Sequence, residues 1–346
     1  MIFKRYLLKF TVFFIALFSF LILCEIGIRN LYPKYDPSGR IKFEYNKDFN
    51  IRIGKKNYSG RQIKNTGDYD TSVTFNKYGF RDDKDVTQIN PQDLLVVGDS
   101  YSLGWGVEND KRYSDQLQKL INKPVYNISI SNNLEGYKGL IGYAESNGAK
   151  IENVILGFCM ENDLLDYGNL GQRKIEDYSA TNKISYTAIK NYLSNFALFN
   201  LFTAYIHSNT SLRNFAVKSG LIIDNLGGIA KNEINDQTLR SSVAIIKELN
   251  NKYNLLLIII ASRGLWAGEN KVVENKVHIN FTGLLRENKI DFIDLRKSFE
   301  AGGSPLNYHF ENDGHWNENG HYLSAKEIYD YLKLNCVKSG AKHCLN

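Results

Sequence analysis

Residues Leu94–Gly106 read LLVVGDSYSLGWG. Four consecutive apolar residues, uncharged and too short for a helix, mark a strand buried on both faces. The Gly-Asp-Ser that ends the run marks a turn, so a hydroxyl is presented where the strand stops. Four later runs repeat the strand pattern: VYNISI (Val125–Ile130), VILGF (Val154–Phe158), LLLIIIA (Leu255–Ala261) and IDFIDL (Ile290–Leu295). Helical spacing follows or separates them. Tyr113, Leu117, Leu120 and Ile121 share one face of NDKRYSDQLQKLI, with Asn109 or Asp110 as N-cap. Ala325, Ile328, Tyr329 and Leu332 share one face of LSAKEIYDYLKL, and YKGLIGYAESNG and VAIIKELNNKY supply two more helices. This alternation predicts an α/β domain with a five-stranded parallel sheet and helices on both sides.

Around that domain the chain of 346 residues has ordinary globular composition, 43% hydrophobic and 23% charged. The net charge of +6 comes from scattered Lys and Arg with no basic stripe, which argues against nucleic acid as a partner. The N-terminus differs. Phe10–Cys24 carries no charge, and with Leu7, Leu8 and Ile26–Ile28 it reaches membrane-spanning length. No small-residue cleavage pattern follows it, and Leu23 before Cys24 does not fit a lipoprotein signal, so residues 1–28 read as an uncleaved transmembrane anchor. Lys4, Arg5 and Lys9 precede the span while Arg29, Lys34, Arg40 and Lys42 follow it, so charge does not set the orientation. A long downstream domain translocates regardless of charge, which favours the bulk of the chain outside. Residues 29–90 read as a polar, irregular linker and lead-in, residues 91–335 as the main domain, and 336–346 as a tail. Within the main domain, residues from about 165 to 242 break the strand–helix repeat. They read as a helical insertion, either a lid or substrate wall or extra packing on the sheet. The four cysteines show neither a CxxC nor zinc spacing. Cys336 and Cys344 flank VKSGAKH and either close a small disulfide loop or remain thiols.

Ligands of an open α/β sheet sit beyond the C-terminal ends of its strands. Ser100 follows the first strand, Asn132 and Asn133 the second, and Asn162 and Asp163 the third. Asp313 and His315 lie between the fifth strand and the last helix, so these loops should meet at one edge. A serine hydroxyl is a weak nucleophile without a base in reach, a role open to His315. Asp313 is placed to hold the imidazole in the right tautomer. The Ser100 backbone N–H, a backbone N–H of the loop after the second strand and the Asn162 amide are candidate oxyanion donors. Asp99 and Asp163 read as turn-ordering residues and His321 as a helix-surface residue. Trp105 and Trp316 read as pocket walls or core, and His309 lies near the site without a role. Asp99, Asp163, Asp313 and His315 are conceivable metal ligands, but no metal-site spacing supports them and they leave Ser100 unexplained. Neither metal nor cofactor is expected.

The blocks GDS (Gly98–Ser100), ND (Asn162–Asp163) and DGHWNENGH (Asp313–His321), in this order, resemble the SGNH or GDSL-type hydrolase superfamily. Together with NKYGFRDD, they look like its membrane-anchored members from bacterial envelopes. The resemblance implies a flavodoxin-like three-layer α/β/α sandwich. It also implies a serine esterase or deacetylase working through an acyl-enzyme, on O-acylated envelope or exported carbohydrate or another small ester. The expected location is the bacterial inner membrane, with the domain facing the periplasm. An O-acyltransferase using the same triad, fed by a membrane acyltransferase partner, is the alternative, and a catalytically idle envelope assembly protein is a third reading. Two positions depart from the pattern. The second block usually offers a glycine N–H, where this chain has Asn132, with Ser129 as the other choice. The commonest acid position, three before the histidine, holds Asn312, and the carboxylate is Asp313, two before it.

Overall fold

Five strands run parallel in the order β6-β5-β7-β8-β9: β5 (Leu94–Gly98), β6 (Val125–Asn127), β7 (Asn153–Cys159), β8 (Asn254–Ile260) and β9 (Phe292–Asp294). The computed structural model describes residues 2–164, 186–219 and 234–339. β5 is an interior strand, next to the edge strand β6, and comes first of the five in sequence. Its register pairs Leu94 with Val125 of β6 on one side, and with Asn153 of β7 on the other. Strand alternation sorts the core into two layers. Leu95, Val97, Val154, Leu156, Phe158, Leu255, Leu257 and Ile259 face one cluster with α4 (Leu134–Ser146), α8 (Asp236–Lys252) and α9 (Lys271–Glu287). Val96, Ile155, Cys159, Leu256, Ile258 and Ile260 face the other, with α3 (Tyr113–Ile121), α10 (Arg296–Ala301) and α11 (Glu318–Ser339). The result is a three-layer α/β/α sandwich.

All five predicted strands are present, two of them shorter than their apolar runs. β6 stops at Asn127 because its side-chain oxygen accepts the Ser129 N–H at 2.9 Å, while its amide donates to Ser102 O and to Ser114 Oγ. The helical insertion ends before position 242: α8 already begins at Asp236, and its Leu239 and Val243 are core residues. At the C-terminal end α11 runs on to Ser339, past the expected boundary at 335. The Cys336–Cys344 pairing lies outside the described residues, as do large parts of the insertion.

Residues 29–90 differ most from expectation. Instead of an irregular linker they hold two two-stranded sheets, β1 (Phe43–Asn46) with β2 (Ile51–Gly54), and β3 (Tyr58–Ile63) with β4 (Asp70–Phe75). β4 buries every second residue. Ile51, Ile53, Val73, Phe75 and Phe80 belong to the same cluster as Leu95 and Val97. The following turn is set by Asn76, whose side-chain oxygen accepts from the Tyr78 and Phe80 N–H groups, and by Gly79 at φ +82. Arg81 is fully buried and donates to four carbonyls: Ser72 O, Leu103 O, Gly104 O and Val107 O.

The chain divides into two compact units, and the sandwich is the larger. The smaller contains α1 (Ile2–Leu31), α5 (Tyr186–Leu193), α6 (Ala197–Ser208) and α7 (Thr210–Lys218). Tyr6–Leu31 within α1 is long and apolar enough to cross a membrane, and its hydrophobic side chains are exposed. Its last turns meet α6, where Ile28, Tyr35, Ala197, Leu201 and Ala204 form a small apolar cluster.

Candidate active site

The site starts from the way β5 ends. Gly98 stands opposite Gly157 of β7, and a Cβ on either would run into Ser102 Oγ. Two glycines side by side therefore let the next turn fold back close over the sheet. That turn is α2 (Ser100–Leu103), with Asp99 as its N-cap. Asp99 is fully buried; one carboxylate oxygen accepts the Tyr101 N–H at 2.9 Å and the other the Asn162 amide at 3.1 Å. Burial pushes the Asp99 carboxyl up, against the pull of the Asn162 amide and of His315. Asp99 thus orders the turn, as its sequence context suggests. At the head of α2, the Ser100 N–H has no acceptor within the helix.

Ser100 is half-buried and meets His315 directly: its Oγ lies 2.8 Å from His315 Nε2. The other ring nitrogen, Nδ1, meets Asp313 Oδ1, which also accepts the His315 N–H at 3.1 Å. Ser100, His315 and Asp313, 213 or more residues apart in sequence on the serine side, thus form one hydrogen-bonded chain. Trp105 stacks on the imidazole at a centroid distance of 5.5 Å and an interplanar angle of 25°. Tyr101 lies against it from another direction, at 5.2 Å.

The loop after β7 is ordered by Asp163, which accepts the Cys159 N–H at 2.8 Å and the Tyr137 hydroxyl at 2.9 Å. Asn162 in the same loop reaches the serine turn through Asp99. Asn132 is engaged elsewhere. Its side-chain oxygen accepts the Arg52 N–H at 2.9 Å, and its amide donates to Arg52 O at 3.0 Å, so it extends the edge of β2. Ser129 is buried, with its N–H on Asn127.

Three residues on this edge carry no signal in the linear pattern. Tyr101 donates its hydroxyl to Gly314 O at 2.7 Å, and burial holds its phenol well above the usual range, so it stays a donor. Arg263, just after β8, is paired with Glu161, which accepts from the Arg263 N–H at 2.7 Å and from the guanidinium at 3.2 Å. The guanidinium lies against Gly314, where a Cβ would overlap it. Tyr101 and Arg263 thus bracket the residue between Asp313 and His315.

His321 is a correction: it is not on the helix surface but fully buried, accepting the Tyr113 N–H at 3.4 Å and stacked on the Tyr113 ring. Trp316 is core, packed against Tyr101, Phe299 and His321. His309 is buried beside Trp266 and Phe299, with Nδ1 3.1 Å from Pro305 O. Among the described residues no three His, Cys, Asp or Glu side chains converge as a metal set.

No family profile matches the chain, and no curated protein matches it. Solved structures to which it is similar include lipolytic proteins and esterases. A lipolytic protein of the G-D-S-L family from Veillonella parvula matches at 13% identity and a TM-score of 0.40, over 70% of this chain and 98% of its own. A lipase/acylhydrolase from Enterococcus faecalis matches at 12% identity and 0.41, over 70% and 96%. An acetyl-xylooligosaccharide esterase from a Geobacillus matches at 12% identity and 0.36, over 70% and 95%.

Proposed function

We propose that this protein is a serine-dependent acyl-ester hydrolase, with Ser100 as nucleophile, His315 as general base and Asp313 as the residue that orients it. The observation that carries this reading is the unbroken contact from Ser100 Oγ to His315 Nε2, and from His315 Nδ1 to Asp313. With its Nδ1–H donated to the carboxylate, the imidazole keeps the Nε2 lone pair for the serine proton. Attack on an ester carbonyl moves that proton to Nε2, and collapse of the tetrahedral intermediate returns it to the departing alcohol. The acyl-enzyme left on Ser100 is cleared by a water that His315 deprotonates in the same way. The Ser100 N–H and the second hydrogen of the Asn162 amide are the oxyanion donors of this scheme, with the Asn132 backbone N–H as a third. Removal of one such donor typically costs about 3 kcal/mol of transition-state stabilisation.

In this proposal α1 anchors the chain in the bacterial inner membrane, with the sandwich on the periplasmic side. The substrate is an O-acylated envelope or exported carbohydrate. The anchor favours an ester held at the envelope over a freely diffusing one. The test is turnover of an aryl acetate by the detergent-solubilised full chain, with and without a sugar acceptor, beside Ser100→Ala. Free acetate without acceptor supports hydrolysis, while acetylated sugar makes the protein a transferase. No turnover in either case, together with no labelling of Ser100 by a fluorophosphonate, removes the enzymatic reading.

A further inference from the structure

We infer that α5–α7 form an interfacial collar, seated in the headgroup layer of the same bilayer that α1 crosses. The proposal rests on the anchor reading of α1 and adds a second membrane contact to it.

The argument begins with depth. Glu25 lies nineteen residues beyond Tyr6, where the apolar span begins. At 1.5 Å per residue that is about 28 Å of helix, close to the roughly 30 Å of a hydrocarbon core. Glu25 therefore falls at the far edge of the core. There its two carboxylate oxygens accept the Ala197 and Leu198 N–H groups at 2.8 and 2.9 Å. Those are the first residues of α6, so a side chain of the span caps this helix. Arg29, one turn on, bonds Glu25 and Asp36 and donates to Asn195 O at 2.8 Å. Asn200 donates to Tyr35 O at 3.0 Å. The α6 start is thus fixed to α1 at the level where hydrocarbon gives way to headgroups.

The second observation is what this fixed element exposes. α6 turns Ala197, Asn200 and Ala204 inward. On the other face it leaves Phe202 and Tyr205 about 60% exposed. α5 adds Ile189 and Tyr192, and α7 adds Leu212 and Phe215, all exposed. Lys190 and Lys218 are exposed on the same helices. Aromatic rings beside lysines, with apolar spacing on one side of short helices, are the composition of an element lying in an interface. In water such a patch would carry a solvation cost that soluble surfaces avoid. Its attachment to the end of α1, through the Glu25 cap and the cluster of Ile28 with Ala197 and Leu201, selects the bilayer as its occupant.

Tryptophan scanning with brominated lipids tests the collar on the full chain, reconstituted into phosphatidylcholine/phosphatidylglycerol vesicles. Val12→Trp reports the anchor, Phe202→Trp and Phe215→Trp report the collar, and Val272→Trp, on an exposed site of the sandwich unit, reports water. The native tryptophans set the baseline. The expected result is strong quenching of Val12→Trp by bromines near the chain ends. Phe202→Trp and Phe215→Trp should be quenched at least about two-fold better by bromines near the headgroup than by deep ones, and Val272→Trp should match the baseline. If Val12→Trp is quenched but both collar variants match the baseline, the collar is overturned while the anchor stands. If Val12→Trp is not quenched, the anchor falls and the collar with it. Protein-concentration-dependent emission shifts in the collar variants, without bromine quenching, would assign the face to a second copy and overturn the proposal.

Discussion

On one side of Ser100 the hydroxyl, imidazole and carboxylate form a continuous hydrogen-bonded chain. On the other side the residues that carry the expected oxyanion donors are held by other partners. The Asn162 amide is bonded to the buried Asp99, and the Asn132 side chain is bonded to Arg52 of β2. The proton-transfer side is therefore complete by itself, whereas the donor side is assembled through intermediaries. This contrast teaches that the two functions are separable by mutation, because they hang on different supports.

The largest effect is expected on the complete side. Ser100→Ala and His315→Ala should each lower kcat at least about 10⁴-fold, and the double variant should be hardly worse than either, since the two act as a unit. Steady-state kinetics on an aryl acetate checks both; additive losses would break the picture of one assembled chain. Next comes the donor side. Asn162→Ala should cost about 10²–10³ in kcat with little change in KM, as loss of an oxyanion donor does. Asn132→Ala keeps its backbone N–H and should lose less than about ten-fold, while destabilising the β2 edge by about 1 kcal/mol through lost hydrogen bonds. A larger kcat loss for Asn132→Ala than for Asn162→Ala would reverse the assignment.

An intermediate effect tests what holds the two sides in register. Gly314→Ala places a methyl into the Arg263 guanidinium, and the displacement should pass to Asp313 and His315. A misplacement of this kind costs up to about 10²-fold in kcat. Arg263→Ala combined with Gly314→Ala should recover part of it, which a double-mutant cycle measures.

The smallest effect concerns stability. His321 is held neutral by burial, with Arg112, Arg81 and His315 adding to it, so that its folded pKa is pulled down to about 3 from 6.5. The unfolded chain then binds a proton that the folded chain refuses. The stability this residue contributes is complete above about pH 6.5 and is lost as pH falls toward about 3. His309, pulled down to about 4 chiefly by burial, adds the same sign over a narrower window. Denaturation midpoints should therefore fall on acidification, and His321→Asn should flatten the slope by up to one proton.

The parallel sheet was legible because its strands are short apolar runs bounded by turns, and nothing else in a chain of this composition looks like them. Ser100, Asp313 and His315 were legible because open sheets gather such residues at one edge, where these three come into contact, while Asn162 reaches them only through Asp99. β1–β4 were missed for a physical reason: Thr71, Val73 and Phe75 alternate with Asp70, Ser72 and Thr74, a period-two pattern built from small and polar residues that reads as loop when strands are sought as apolar runs. His321 was misplaced because a polar helix start says nothing about which way it faces; the Tyr113 N–H and ring give it a buried partner. Arg263 and Glu161 had no local signal, since their pairing exists only after β7 and β8 lie side by side.

Arg81 has a consequence for how this protein is divided and recombined. Its guanidinium bonds Leu103, Gly104 and Val107, the carbonyls of the loop that follows Ser100. A chimera cut at the start of β5, where the apolar run makes a boundary look natural, would remove that cation and leave several carbonyls facing the interior unanswered. The heritable unit of this domain therefore begins upstream of the strand that presents Ser100. Grafting the domain onto another anchor should succeed when the crossover precedes the first antiparallel strand, and fail when it falls beside Asp93.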